Sequence, residues 1–319
     1  MITNEMMLMA RLADDGVTLR KQLAQVQQQA ASGRASDTYS GLGPAARTSL
    51  DLRPTIAHQT VWQSNIDAAQ ARLDVTQSAL KSISSIAADF YQRVNNLNDV
   101  GASQVADIAG LAKSALQQVG QLLNSKSGDT YVFAGQDTAN PPVPNTDPAV
   151  LGAALLASDT ATAPFSTTLG SAVPQVEVGE GERMQVGLLA NKNTLATSTA
   201  PTTGSYMRDV MRALATLATL TPTSPGIQAT AADTRTRLSS AITAMATETG
   251  ALGDFQNTLK QRQTALGDTS TALSAQLSSI EDVDVAAALT KASTLQTQLQ
   301  ASYQIIAGSR QLSLANFIR

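Results

Sequence analysis

The sequence predicts a mainly α protein: a long antiparallel helical bundle or coiled coil formed by the N- and C-terminal segments, with a small β-rich insertion domain. At both ends of the chain, apolar residues recur every three or four positions, which is the spacing of one helix face. Hydrophobic residues make up 43% of the chain but aromatic residues only 3%, so small aliphatic side chains must form the core. Such side chains favour close helix–helix seams over a wide globular interior.

The first helix is predicted in the N-terminal segment, where polar, Gln-rich stretches separate the apolar positions. Its apolar face is formed by Leu12, Leu19, Leu23 and Val26. Ser32-Gly33 ends the helix, and residues 33–44 form a turn region that is dense in Gly, Ser and Asp.

A longer helix is predicted after Pro54, because apolar residues keep a seven-residue repeat over more than four repeats. The repeat is carried by Ile66, Leu73, Leu80, Ile83, Ala87, Phe90, Val94 and Leu97. Gly101 interrupts it, and a further helix follows to Asn124. We expect these two helices to form an antiparallel hairpin that is joined near residues 99–103.

The character of the chain changes at Gly128, where a short β run, residues 130–133, precedes a cluster of prolines. Farther on, residues 174–178 and 184–188 alternate in polarity on either side of the turn sequence 179–182. This pattern predicts a β-hairpin. The segment is therefore expected to be a small β-rich insertion in a helical protein.

Helices resume at Tyr206, and after Gly226 a long apolar seam runs toward the C-terminus. Within it, Ser278 and Glu281 match the Ser-x-x-Glu capping-box pattern, which predicts that a helix restarts there. The last stretch, residues 281–319, carries another apolar stripe, which we expect to run to the last residue. Either the rest of the chain or another copy must cover that stripe.

These elements predict a nested hairpin with three parts. Residues 1–40 and 285–319 are the terminal helices, which form the assembly coiled coil. Residues 41–128 and 205–284 form a helical bundle domain, and residues 129–204 form the small β-rich domain at its tip.

The sequence contains no catalytic, metal-binding or cofactor-binding constellation. The single His58 cannot form a multi-histidine metal site. Glu281, Asp282 and Asp284 form an acidic cluster without complementary ligand spacing, which favours a helix-start or interface role over a divalent metal. The chain has no Cys and no phosphate-binding, dinucleotide-binding or metalloprotease motif. We therefore predict a structural protein, not an enzyme, without a cofactor.

The charge pattern excludes further classes of partner. A net charge of −3 gives no electrostatic basis for binding nucleic acid or anionic lipid. No stretch is apolar enough for membrane insertion, and the first 15 residues lack the apolar core of a Sec-type signal peptide. Charged residues are only 15% of the chain, so its surface carries little mutual repulsion and would tolerate the close packing of many copies.

Several segments resemble the bacterial flagellin family, which includes flagellins and hook-associated proteins. Residues 278–286 (SSIEDVDVA) and 311–318 (QLSLANFI) are similar to its C-terminal region, and residues 250–257 (GALGDFQN) to the segment just upstream. Residues 23–37 resemble the family's N-terminal segment, from which Asp37-Thr38-Tyr39 departs. Residues 125–135 (SKSGDTYVFAG) resemble a segment typical of the proteins at the hook–filament junction rather than of filament flagellins.

This resemblance implies a structural subunit of the bacterial flagellum that joins the hook to the filament outside the cell. It implies export in unfolded form by the flagellar type III apparatus, without a cleaved signal peptide. The implied partners are other copies in a ring, the first hook–filament junction protein, flagellin and a flagellar export chaperone. In the family, the terminal helices are disordered in the free subunit and pair on assembly.

Two alternatives stay open. A filament flagellin is the near one, and residues 125–135 are the feature that separates it from a junction protein. A soluble secreted helical adaptor or effector is the more distant one, and it requires terminal helices that are ordered in the monomer.

The candidate assembly interface consists of apolar positions on the two terminal helices. We expect the N-terminal positions to meet Leu295, Leu299, Tyr303 and Ile306. The full set is Leu12, Leu19, Leu23, Val26, Leu289, Leu295, Leu299, Tyr303, Ile306, Leu312, Leu314 and Phe317.

Overall fold

The computed structural model describes residues 2–97, 102–157, 163–170, 172–196 and 204–317. For residues 2–6, 8, 9, 12, 102 and 309–317, it describes the backbone alone. The described residues form seven α-helices and two small antiparallel sheets of two strands each. This confirms the predicted mainly α class with a small β component.

The described helices and strands have the following bounds along the chain. The helices are α1 (Ile2–Ser32), α2 (Ala45–Asn95), α3 (Ala102–Leu123), α4 (Pro148–Ala157), α5 (Tyr206–Ala218), α6 (Ile227–Glu281) and α7 (Val285–Phe317). The strands are β1 (Lys126–Ser127), β2 (Thr130–Tyr131), β3 (Gln175–Gly179) and β4 (Glu182–Gln185). A short 3-10 helix, Tyr39–Leu42, lies between α1 and α2.

The chain divides into two compact units. Residues 1–58 and 268–319 form the first, called the terminal unit below, and residues 59–267 form the second, called the central unit. Helices α2 and α6 contribute residues to both. The three-part organisation expected from the sequence is a different division, and it stays a prediction.

In the central unit, α2 and α6 lie antiparallel with a constant register. Gln263 donates a hydrogen bond to the carboxylate of Asp67, and Gln256 donates one to Asp74 at 2.7 Å. A step of seven residues along α2 is therefore matched by a step of seven back along α6. All eight predicted heptad residues, from Ile66 to Leu97, are buried, with exposed fractions of at most 4%, and Leu97 lies just beyond the end of α2. The predicted heptad seam is confirmed.

The insertion contains the predicted β-hairpin, in which β3 pairs with β4 and Gln175 lies opposite Gln185. Gly181 takes a left-handed φ of 69° in the connecting turn, a conformation that favours glycine. The insertion has no separate core, because Phe133 and Leu188 are buried in the same cluster as the central helices.

Helix α4 is not predicted from the sequence, because its residues are apolar almost all round and show no helical period. Asp147 caps it by accepting the N–H groups of Ala149 and Val150 at 2.9 and 3.2 Å. Leu151 and Leu155 anchor the helix in the central core.

The predicted start of the second helix after Pro54 is wrong, because α2 begins at Ala45 and contains Pro54. A proline inside a helix lacks the N–H that would bind the carbonyl four residues earlier, here that of Leu50. The helix nevertheless continues, so packing on both sides of Pro54 outweighs the local cost, which is about 3 kcal/mol relative to Ala.

Candidate assembly interface

The terminal unit pairs α1 with α7 as an antiparallel helical hairpin. Val26 of α1 packs with Ala288, Ala292 and Leu295 of α7, and these four residues are 5–8% exposed. The partly buried residues that flank them are Leu19, Leu23, Ala30 and Val283. The small alanine side chains let the two helices approach closely.

The terminal unit buries few large apolar side chains. Among its described side chains, Val26 and Leu295 are the large apolar residues that are buried. Of its other apolar positions on α2 and α6, Leu50 is exposed and several are only partly buried: Leu52, Ile56, Leu273, Leu277 and Ile280. Since helices of this kind depend on packing for most of their stability, the terminal unit leaves apolar surface that further packing could cover.

Arg20 of α1 contacts Tyr303 of α7 across the hairpin. The guanidinium carbon lies 5.3 Å from the centre of the tyrosine ring, and Nε donates a hydrogen bond to the phenol oxygen. An exposed cation–π contact contributes about 0.5–1 kcal/mol. Because the rest of the seam is apolar or Gln-rich, this polar pair favours one register over slipped ones.

The face of α7 that points away from this seam carries almost no charge. From Val285 to Gly308, Lys291 is the only charged residue. Leu289 and Ile305 are 58% and 57% exposed, so large apolar side chains lie uncovered on α7. An uncharged surface with exposed apolar groups is favourable to cover, because no ionic group loses its hydration.

Three threonine hydroxyl groups of α7 donate hydrogen bonds to the backbone of the same helix. Thr290, Thr294 and Thr297 each donate to the carbonyl oxygen four residues earlier, at 2.9–3.0 Å. A hydroxyl donor that is already bonded within the helix can be buried without leaving a donor unpaired. The low charge of α7 is therefore combined with threonine hydroxyl donors that need no external partner.

At the base of the hairpin, the segment after α1 pairs with the segment before α7. The N–H of Ala35 donates to the carbonyl of Glu281 at 2.7 Å, and the N–H of Val283 donates to the carbonyl of Gly33 at 3.0 Å. Gly33 leaves α1 with a left-handed φ of 71°. We call these two hydrogen bonds the base ladder.

The side chain of Glu281 binds α2. Arg53 donates from Nε to Oε1 at 2.9 Å and from Nη2 to Oε2, and Ser49 donates to Oε1. The hydrogen bonds from Arg53 and Ser49 hold the pKa of Glu281 below its ordinary value. The same pairing raises the pKa of Arg53. A two-bond Arg–carboxylate pair also fixes the relative orientation of the two side chains.

The predicted capping box at Ser278 and Glu281 is wrong. Helix α6 continues through Glu281, and α7 is capped by Asp284, which accepts the N–H groups of Ala286 and Ala287 at 2.9 and 3.1 Å. The Ser-x-x-Glu spacing is present, but the carboxylate of Glu281 accepts hydrogen bonds from Arg53 and does not cap a helix.

The structure places the predicted assembly residues in three settings. Those buried or partly buried along the hairpin are Leu19, Leu23, Val26, Leu295, Leu299 and Ile306. Leu289 is exposed, and Tyr303 is 38% exposed beside Arg20. The side chains of Leu12, Leu312, Leu314 and Phe317 lie outside the described part of the chain. The role of all twelve in assembly stays a prediction.

The sequence gives no local signal for the polar contacts of this region. Arg53 and Glu281 are 228 residues apart, and Arg20 and Tyr303 are 283 apart. A single charged residue on a helix is ordinary, so only the pairing of distant segments shows that these residues act together.

The described residues contain no group of three or more His, Cys, Asp or Glu that could hold a metal ion. Among them, no helix has the length and apolar character needed to cross a membrane. The acidic residues singled out in the sequence have other roles here, since Glu281 binds Arg53 and Asp284 caps α7.

Comparison with protein families shows what the C-terminal part of the chain resembles. The description of the bacterial flagellin C-terminal helical region matches residues 236–318, which span most of α6 and nearly all of α7. Residues 236–318 are therefore similar to a flagellin C-terminal region. This confirms the flagellin-family resemblance of residues 250–257, 278–286 and 311–318. No curated protein matches the chain in sequence.

Solved structures of flagellar proteins share the fold. A protein from Vibrio parahaemolyticus that is described as flagellar hook-associated has 16% identity, covers 77% of this chain and 99% of its own, and gives a TM-score of 0.57. FlgL from Bacillus cereus has 16% identity over 72% of this chain and 100% of its own, with a TM-score of 0.54. FlgL from Xanthomonas campestris has 14% identity over 71% and 99%, with a TM-score of 0.52.

In this flagellin-like chain, residues 125–135 lie in the central unit. They contain the β1–β2 pair, and Phe133 is fully buried. Arg72 of α2 donates to the carbonyl oxygens of Tyr131 and Val132 at 3.1 and 3.0 Å. The family match, together with the shared fold, supports a structural and non-enzymatic protein of the flagellum.

Proposed function

We propose that this chain is a structural subunit that joins the hook of the bacterial flagellum to its filament and polymerises through its terminal helices. The α1–α7 hairpin carries the proposal. Among its described side chains, the seam buries two large apolar ones, Val26 and Leu295, and α7 still exposes Leu289 and Ile305. The match of residues 236–318 to the flagellin C-terminal region supports a flagellar building block, and the fold shared with hook-associated proteins favours the junction over the filament.

Neighbouring copies would complete the packing that one chain leaves open. Covering the uncharged face of α7 removes apolar surface from water at about 25 cal/mol per Å². Because the hydroxyls of Thr290, Thr294 and Thr297 are bonded within the helix, that gain is not offset by unpaired threonine donors. The proposed partners are therefore other copies in a ring, the first hook–filament junction protein on one side and flagellin on the other.

The proposed location is outside the cell, at the hook–filament junction. We infer export in unfolded form through the flagellar type III apparatus without a cleaved signal peptide, with an export chaperone as a transient partner. Terminal helices with little core of their own suit this route, because they can be kept unfolded at low cost until neighbours are present.

A filament flagellin is the second candidate, since the matched C-terminal region is named for flagellins. The segment of residues 125–135 favours the junction protein, because its sequence resembles that class. A secreted helical adaptor remains the distant candidate, and the terminal unit argues against it by burying so little apolar surface within one chain.

Deletion of the gene in the source bacterium tests the proposal. We expect electron microscopy to show intact hooks without filaments, and flagellin to accumulate in the culture medium. Expression of the wild-type chain from a plasmid should restore filaments and clear the medium. Normal filaments in the deletion strain would contradict a junction role. Missing filaments without flagellin in the medium would favour the filament candidate.

A further inference from the structure

One residue, Glu281, ties together three segments of the terminal unit. Its backbone carbonyl accepts the N–H of Ala35 in the base ladder. Its carboxylate accepts hydrogen bonds from Arg53 and Ser49 on α2. The end of α1, the first turns of α2 and the break between α6 and α7 therefore meet at a single side chain and its own peptide.

The surroundings of this carboxylate favour its ionised form. The side chain of Glu281 is 15% exposed, whereas that of Arg53 is 46% exposed, so the carboxylate is the shielded partner. Arg34 supplies a second positive charge, and Tyr39 faces the guanidinium of Arg53. On its own segment, Glu281 is followed by the acidic residues Asp282 and Asp284.

We propose that Glu281 is a clasp that keeps the base ladder closed in the free subunit, before α1 and α7 pair along their length. With the base closed, the ends of the two terminal segments are held next to each other. Pairing of α1 with α7 then loses less conformational entropy, because the two segments have already been brought together. The proposal deepens the assembly role proposed above, but its test uses the free subunit and is independent of that role.

The clasp has a defined dependence on pH. A carboxylate whose pKa is lowered by folding contributes stability that is fully present above its unfolded pKa, which is about 4.3 for Glu. That contribution is lost as the pH falls through the lower pKa of the folded state. The base ladder should therefore be closed at neutral pH and should open in acid.

Amide hydrogen exchange on the full-length free subunit tests the clasp at the N–H groups of Ala35 and Val283. We expect Glu281→Gln to lower their protection factors about tenfold at pH 7, since a neutral amide cannot form the ionic pair with Arg53. Arg53→Gln should give the same loss, and the double variant should add little to it. Asp268→Asn, which removes a charge from an exposed site on α6, is the matched control and should match wild type.

The wild-type protection factors at the two amides, corrected for intrinsic exchange, should fall as the pH drops from 6 to 3, and those of Glu281→Gln should not. Amides of residues 66–97 report whether each variant keeps the central unit folded. Wild-type protection in Glu281→Gln, or no protection at either amide in wild type at pH 7, would overturn the clasp. A loss of equal size throughout residues 66–97 would also overturn it, because the effect would then be general unfolding.

Discussion

At the scale of single residues, the central unit depends on one buried carboxylate in α6. Glu248 is fully buried, and its Oε1 accepts the N–H groups of Thr194, Leu195 and Ala196 at 2.6, 2.8 and 3.2 Å. These three residues have no regular secondary structure. The carboxylate therefore replaces the backbone partners that a helix or strand would have supplied.

We predict that Glu248→Ala lowers the free energy of unfolding by about 2–4 kcal/mol, because three backbone donors lose their acceptor in the interior. Urea titration followed by circular dichroism measures the change. Glu180→Ala is the matched control: it also removes a glutamate carboxylate, but from an exposed turn, and should change the free energy of unfolding by less than about 0.5 kcal/mol. Equal stabilities for the two variants would show that the buried hydrogen bonds contribute nothing measurable.

Residue-level roles of this kind are hard to read from the sequence. The burial of apolar positions such as Leu73 and Leu80 can be predicted from the heptad period, because the pattern recurs every seven residues along the helix. Glu248 and Glu281 lie on the same helix and look alike in sequence, and their partners come from segments 52 and 228 residues away. Only the fold distinguishes a buried acceptor, a clasp and a solvated surface charge.

At the scale of elements, the α1–α7 hairpin is the part of the chain whose packing we expect neighbouring subunits to complete. Its apolar seam is narrow, the hydroxyls of Thr290, Thr294 and Thr297 are bonded within α7, and one Arg–Tyr pair favours the register. Leu299 is partly buried, near the middle of α7. A charge at this position would be exposed to solvent in a free, unpaired helix but buried in a closed seam.

We predict that Leu299→Asp leaves the free subunit folded but blocks its incorporation, because a carboxylate buried in a seam repeated in every copy costs several kcal/mol each time. The deletion strain that expresses this variant should lack filaments, as judged by motility and electron microscopy. Thr264→Asp introduces the same charge at an exposed site of α6 and should restore motility. Normal motility with Leu299→Asp would count against assembly through this seam.

Elements with a strong period are predictable, and their boundaries are less so. The seams of α2 and α6 and the β3–β4 hairpin follow directly from their patterns. Pro54 misleads because a proline usually ends a helix, whereas here packing on both sides carries α2 through it. Helix α4 has no polar face and therefore no period to detect.

At the scale of the whole molecule, the two units differ in how much core they contain. The main cluster of buried apolar residues runs from Ile66 to Leu266 and lies within the central unit. The terminal unit has the small cluster around Val26 and Leu295. The central unit therefore contains enough buried surface to fold within one chain, whereas ordering of the terminal helices should depend on neighbours.

The most direct test of this account is hydrogen exchange on the purified, unassembled subunit. We predict weak protection over residues 1–31 and 289–319, and strong protection in the central unit, for example over residues 66–97. Polymerised protein measured in the same way should show strong protection in the terminal segments as well. Strong protection of residues 1–31 and 289–319 in the free subunit would contradict assembly-dependent ordering and would favour a protein that completes its fold alone.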